Sequence, residues 1–370
     1  MDKAGKQVEV AMKWELIKTY TVTRFIVTEY LDGVYVTLWK ASTMHMLDKG
    51  GTRMTNFNST NDEKQLEQFM QRIEANDKIE ASDWMPDEYR MTLIKLISMH
   101  GMSEIMGALP EKEWVPKAPT LQRKLGIMAK VQDEMGHGQL LLRVTEDLLV
   151  PYGKNRADLM QDLFNGDLKF HNVFHMETKT WADAGIIGWL VDGAAIITQT
   201  DMLKASYGPY ARALQRICAE EVFHAQHGES IILALVEGTD LQKAIVQEAL
   251  DRWWEPLLMF FGPASKETTG SSKQDLTIKY KIRTKTNEEF RQIFFDKYIP
   301  RIISLGLKIP DPTLRYDQDS KLWFYEQPDW NAFKKIIKNQ GPRSEARLNL
   351  RRHSYEYNSW VRDALSTSSS

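Results

Sequence analysis

Two tetrapeptides constrain this 370-residue chain more than any other feature. Glu134-Met135-Gly136-His137 and Glu221-Val222-Phe223-His224 each place a carboxylate three residues ahead of a histidine. On an α-helix, positions i and i+3 share a face, so the two side chains of a pair can converge on one point. A single such tetrapeptide occurs on the order of once by chance in a chain like this. The arrangement around the pair is more specific. Glu104 lies 30 residues before Glu134, and Asp192 lies 29 residues before Glu221. The single carboxylates are 88 residues apart and the two Glu-x-x-His pairs 87 apart. The chain therefore presents a carboxylate helix and a Glu-x-x-His helix, then the same two again.

Charge narrows what such a cluster can be. Four buried carboxylates without a counter-charge would repel one another and titrate upward, whereas four carboxylates balance two divalent ions. The spacing is the ligand pattern of di-iron carboxylate four-helix bundles. The fold class expected is thus mainly α: a ferritin-like four-helix bundle with a di-iron site, extra C-terminal helices and loops, and an N-terminal hairpin-like extension. In the simplest assignment one iron takes Glu104 and His137, the other takes Asp192 and His224, and Glu134 and Glu221 bridge. Cys218 is the only cysteine, which excludes an internal disulfide, a thiolate zinc cluster and a four-cysteine iron–sulfur site on this chain. Any metal is then held by nitrogen and oxygen, and the cysteine usage reads as cytoplasmic. Lys+Arg total 48 and Asp+Glu 50, so the net charge of −2 draws the chain toward neither nucleic acid nor anionic membrane. No run of 18 apolar residues suggests a membrane span, and Met1 to Lys6 is not followed by the apolar core of a signal peptide.

Residues 8–40 read as strand, with Asp32-Gly33 as a hairpin turn between β-branched runs. Residues 47–63, rich in Gly, Asn, Thr and Ser, read as a linker. Helices are expected from Asp87 to Leu109 with Pro110 closing it, from Thr120 to about Leu149, from Trp181 to Tyr207, from Tyr210 to Val236, and from Leu241 to Phe261. The third is apolar all round, as a central bundle helix would be. The domain division expected is 1–62 for the extension, 63–261 for the bundle and 262–370 for a C-terminal region of short helices and loops packed on it.

Other residues near the six have weaker readings. Glu220 points elsewhere on its helix and reads as surface or as a support for a ligand. His227, one turn after His224, is a candidate support. His171 and His175 read as surface, and His100 as structural. Cys218 reads as a buried inert thiol. Met99, Met102, Met106 and Met135 read as core, with some lining a pocket. Tyr207 and Tyr210 lie more than a dozen residues after Asp192, which argues against a radical-bearing tyrosine beside the metals.

Asp83-Trp84-Met85-Pro86-Asp87, Ser103-Glu104-Ile105, Leu109-Pro110-Glu111, the Ala129–Glu134 run, Gly136-His137-Gly138, the Ile187–Ala195 run, the Ser206–Ala213 run and Ile309-Pro310-Asp311-Pro312 carry a resemblance. They resemble the catalytic subunits of ring-1,2-phenylacetyl-CoA epoxidases, from bacterial phenylacetate-degrading multicomponent oxygenases. The resemblance covers about residues 66–365, omits the first 60 or so, and is interrupted by a short insertion around Pro151-Tyr152-Gly153. Its iron ligands fall on Glu104, Glu134, His137, Asp192, Glu221 and His224, and no further catalytic residue is implied. It implies that O2 and two electrons convert phenylacetyl-CoA to its 1,2-epoxide and water. It also implies partners: a structural bundle subunit, small accessory subunits and an iron–sulfur flavin reductase that handles NADPH. The chain itself shows no nucleotide-binding fingerprint. An anionic CoA thioester needs cations at the pocket mouth, for which Lys95, Lys130 and Lys169 are the candidates. The alternatives are a ferritin-like iron oxidase, an oxygenase acting on another aromatic acyl-CoA, and a non-enzymatic relative that would lack the ligands.

Overall fold

Helices start where the local chemistry caps them. The computed structural model describes residues 24–30, 33–40, 59–264 and 275–367. It divides into two units, Met1–Gln68 and Phe69–Ser370. In the first, β1 (Arg24–Tyr30) and β2 (Gly33–Lys40) pair antiparallel with Val27 opposite Val36, as the β-branched runs predict. The expected turn at Leu31 and Asp32, the strand residues before Arg24, and residues 41–58 lie outside the described residues. Helix α1 (Ser59–Ala75) begins inside the segment expected to be linker. Its Ser59-Thr60-Asn61-Asp62 start is polar in the way a helix N-terminus needs, and Asp62 faces the positive end of the dipole.

The second unit holds the bundle. Helix α2 (Asp87–Lys112) carries Glu104, and Asp87 and Glu88 sit in its first turn. Pro110 does not close it, contrary to expectation. A proline in the last turn forfeits only its own N–H, and the chain stays helical through Glu111 and Lys112. Helix α3 (Leu121–Leu149) carries Glu134 and His137, and Thr120 caps it by accepting from the Arg123 N–H at 3.2 Å. Helix α4 (Arg156–Asn165) is a short crossover helix that ends on left-handed Gly166. Helix α5 (Trp181–Met202) carries Asp192 and opens with a Thr180–Asp183 capping box. It ends before the expected Tyr207 because the chain there turns to pair with Ile79, whose N–H donates to the Ser206 carbonyl at 2.8 Å. Helix α6 (Gly208–Val236) carries Glu221 and His224, with Pro209 in its first turn.

Packing closes the four ligand helices into a bundle: α2 on α3, α5 on α6, and α3 on α6. Helix α5 has one π-helical turn, Ile187–Val191, directly before Asp192. Such turns cluster at functional sites. One turn before Asp192, Gly188 meets Gly228, one turn after His224. A Cβ on Gly188 would lie 2.8 Å from the Gly228 Cα, so only glycine lets the two backbones approach this closely. Helix α7 (Asp240–Phe260) packs on α5 and α6, and helix α8 (Asn287–Ser304) packs on α5. Helix α5 is long and apolar enough to cross a membrane, yet most of it is buried inside this bundle as a core helix. The C-terminal region continues with a small hairpin, β3 (Arg315–Asp317) and β4 (Leu322–Phe324), then helices α9 (Ser344–Tyr357) and α10 (Ser359–Thr367).

Candidate metal centre

The six side chains selected by spacing meet inside the bundle. Each is buried, with at most 6% of its surface exposed. They form two overlapping groups, Glu104–Glu134–His137–Glu221 and Glu134–Asp192–Glu221–His224, each able to bring four ligand atoms within 4.8 Å of one another. Glu134 and Glu221 belong to both groups. Glu221 turns one oxygen to each histidine, at 3.4 Å from His137 Nδ1 and 3.4 Å from His224 Nδ1.

The histidines are held from outside. His137 Nε2 donates to Glu220 at 2.7 Å, and His224 Nε2 donates to Asp133 at 3.2 Å. Each supporting carboxylate directly precedes the glutamate of one pair and supports the histidine of the other. With Nε2 engaged outward, each Nδ1 points inward between two carboxylates and has no hydrogen-bond partner. His137 Nδ1 lies 3.6 Å from Glu104, and His224 Nδ1 lies 3.4 Å from Glu134. A buried imidazole nitrogen without a partner, backed by a carboxylate on the other nitrogen, is the donor set a divalent metal requires. The residues present fit such an ion.

Burial opposes every charge here. It raises Glu134 well above the usual carboxylate range, and repulsion from Glu104 and Glu221 adds to the rise. Burial raises Asp192 to about 8 against the pull of Lys130. For Glu104 and Glu221 burial also acts upward, but contacts from His100, His137 and His224 outweigh it and hold both below the usual range. Burial disfavours the imidazolium forms, yet the facing carboxylates raise His137 to about 11 and His224 to about 12. In the metal-free chain the two imidazoles are therefore cations that stand in for divalent charge. Metal must displace those protons, so affinity should fall as pH falls. Loading two divalent ions near neutral pH should release about two protons or more per chain, read with a pH indicator in weak buffer. An affinity that does not change between about pH 6 and about pH 8 would contradict this.

Sequence comparison adds a family. A model described as "Phenylacetic acid catabolic protein" matches residues 54–360. The chain belongs to that family. Within it, the A component of the 1,2-phenylacetyl-CoA epoxidase of Escherichia coli (strain K12) is 44% identical over 300 residues, covering 81% of this chain and 95% of that protein.

In this phenylacetic acid catabolic family member, a cavity of about 360 Å³ reaches the centre. Glu104, Glu134, Asp192 and Glu221 line its inner end, and Phe170, Phe174, Val191 and Phe260 line its walls. The C-terminal region supplies further lining through Arg283, Asn287, Phe290 and Phe333.

The three candidate lysines separate. Lys169 is exposed and lines the cavity, whereas Lys95 is exposed but does not line it. Lys130 corrects the expectation of a cation at the mouth, because only 1% of it is exposed. Sharing a helix face with Glu134 turns it inward. Its ammonium pairs with Glu111 at 2.5 Å and with Asp192, and lies 3.9 Å from Glu134.

Several neighbours also differ from expectation. His171 and His175, expected on the surface, are packed inward because their segment folds as a tight 3₁₀ turn against the bundle. His171 stacks on Phe260 at 4.0 Å and lines the cavity, and His175 stacks on Phe170 at 3.8 Å. Burial lowers them to about 4 and about 3, so both are neutral. His227 stacks on Phe223 and packs against Gly126 rather than supporting a ligand. Cys218 is half-buried, and burial raises its thiol to about 12, which keeps it inert. Met102 and Met106 are core, and Met99 lines the cavity. Tyr210, remote from Asp192 in sequence, reaches the centre through His100, whose Nε2 donates to Glu104 at 2.8 Å. No spacing rule flags His100, Gln199, Tyr210 or Arg283, because each joins the site from a different element.

Proposed function

We propose that this chain is the catalytic subunit of a multicomponent oxygenase that epoxidises the aromatic ring of phenylacetyl-CoA. The observation that carries this reading is the cavity: four carboxylates close its inner end, and aromatic and aliphatic walls lead to them. Its volume, about 360 Å³, is in the range of small-molecule sites. A ferritin-like iron oxidase would use the same ligands but has no need of an apolar cavity built partly from a C-terminal region. The name of the Escherichia coli relative supplies the substrate and the reaction.

Each residue then has a task. Glu104 and His137 would hold one iron, Asp192 and His224 the other, with Glu134 and Glu221 shared, so that four carboxylates cancel the charge of two divalent ions. When bound, such a pair of ions supplies the activation of O2 with two electrons. Glu220 and Asp133 keep both Nδ1 atoms turned inward by holding Nε2. Lys130 and Glu111 form a neutral buried pair behind Asp192. Phe170, Phe174 and Phe260 exclude water and offer an apolar bed for the phenyl ring. Lys169, with Arg283, presents positive charge to the CoA phosphates. The overall change is phenylacetyl-CoA, O2, two electrons and two protons to the 1,2-epoxide and water.

The same reading places the chain in the cytoplasm beside a structural bundle subunit, small accessory subunits and an iron–sulfur flavin reductase that oxidises NADPH. It keeps the three-part division at 1–62, 63–261 and 262–370. Metal analysis with a product assay tests it. The purified chain should make no epoxide with NADPH alone and should make it once the reductase and companion subunits are added. Sustained NADPH-dependent turnover by the chain by itself would refute the multicomponent reading, and equal turnover of unrelated acyl-CoA esters would refute the substrate. Lys169→Ala should raise KM for the acyl-CoA on the order of tenfold with metal content unchanged, as loss of a charge-assisted contact worth about 1.5–3 kcal/mol would. An unaltered KM at low salt would remove Lys169 from the entrance.

A further inference from the structure

We propose that His100, held in place by Tyr210, is a positioning residue for the metal centre: it occupies one oxygen of Glu104 so that this carboxylate presents only its other oxygen to a metal. The proposal rests on the reading of Glu104 as a ligand. His100 lies one turn ahead of Glu104 on α2 and receives contacts from two other bundle helices, α5 and α6.

The hydrogen bonds set its tautomer. The Tyr210 hydroxyl donates to His100 Nδ1 at 3.0 Å, a far better acceptor than the Met202 sulfur 3.7 Å away. A neutral ring that accepts at Nδ1 carries its proton on Nε2, and this N–H donates to Glu104 Oε1 at 2.8 Å. The Gln199 carboxamide lies 3.2 Å from the same nitrogen. Its two ends exchange by a half-turn, so its oxygen can share the N–H. Tyr210 is fully buried, and its ring meets the His100 ring edge-on at 6.1 Å, which fixes the imidazole plane.

The two oxygens of Glu104 thus have different partners. Oε1 is tied to His100, while Oε2 faces His137 Nδ1 at 3.6 Å, inside the ligand cluster. Glu221, by contrast, turns one oxygen to each histidine. A carboxylate with both oxygens free can chelate one ion or bridge two, whereas one with an oxygen already engaged is confined to single-oxygen ligation. His100 and Glu104 both line the cavity. Holding Glu104 in this way keeps the cavity side of the centre clear for O2 and substrate.

Co(II) titration of the metal-free full-length chain tests this without turnover. The wild-type chain should take up two ions. His100→Leu should still take up two, one of them on the order of tenfold more weakly and with an altered visible absorption. His100→Gln, whose amide nitrogen can donate to the same oxygen, should restore both affinity and spectrum, which a purely structural role would not predict. Tyr210→Phe, which removes a single oxygen, should weaken the same ion about threefold. Wild-type affinities and spectrum in His100→Leu would overturn the proposal while leaving the metal centre standing, and so would failure of His100→Gln to restore them. If His100→Leu does not fold, Tyr210→Phe decides, and wild-type behaviour there overturns the proposal. A wild-type chain that binds fewer than two Co(II) ions would instead bring down the six-ligand reading on which it rests.

Discussion

Replacing Glu134 and His224 together by alanine should reduce the iron bound by the full chain from two ions to one or none, and abolish epoxide formation. Glu134 belongs to both groups of ligand atoms, and His224 supplies the only imidazole of the second. The helices should survive. Glu134 is pushed toward its protonated form by burial and by its neighbours Glu104 and Glu221, so its removal relieves repulsion in the metal-free state. Glu134→Ala alone is therefore expected to unfold at the wild-type temperature or above it when metal-free, and to gain much less than wild type when iron is added, since ligand binding stabilises only the state that binds. Iron analysis and thermal unfolding with and without Fe(II) check both halves. Two irons per chain in the double variant would overturn the ligand assignment.

Lys130→Met should destabilise the metal-free chain by about 3–5 kcal/mol, the usual cost of leaving a buried carboxylate without its partner. Glu111 is 2% exposed and Asp192 5%, so neither can turn to water when the ammonium is lost. Iron loading should recover more stability in this variant than in wild type, because the metal would neutralise Asp192 directly. KM for the acyl-CoA should not move, since Lys130 lies behind the ligands. Denaturant unfolding and steady-state kinetics separate these outcomes. A variant of wild-type stability with a raised KM would return Lys130 to the substrate entrance.

The contrast between Lys130 and Lys169 shows what kind of information each source carries. Both are lysines near ligand helices, and an anionic substrate makes either a reasonable contact. Helical periodicity does place Lys130 on the Glu134 face, but a face does not say which side of the bundle it meets. Glu111 decides that, and it points inward because α2 continues past Pro110. Likewise the i, i+4 spacing of His171 and His175 describes a helix face, while the chain there folds as a 3₁₀ turn and buries both rings. Tyr210 sits far from Asp192 along the chain, yet the bundle brings its hydroxyl to His100, next to Glu104.

Sequence alone determined the class of the fold and the six residues at its centre. Both follow from local periodicity: Glu-x-x-His on a helix can only turn both groups to one side, and two matched copies require four helices around one cluster. Tertiary structure decided everything that depends on which helix faces which. The Gly188–Gly228 contact sets how closely α5 approaches α6, and each histidine is supported by the acid of the opposite pair, Glu220 for His137 and Asp133 for His224. The cavity, the burial of Lys130 and the His100–Tyr210 contact join residues dozens of positions apart. Such contacts arise from how the elements pack against one another, and packing leaves no period along the chain to be read.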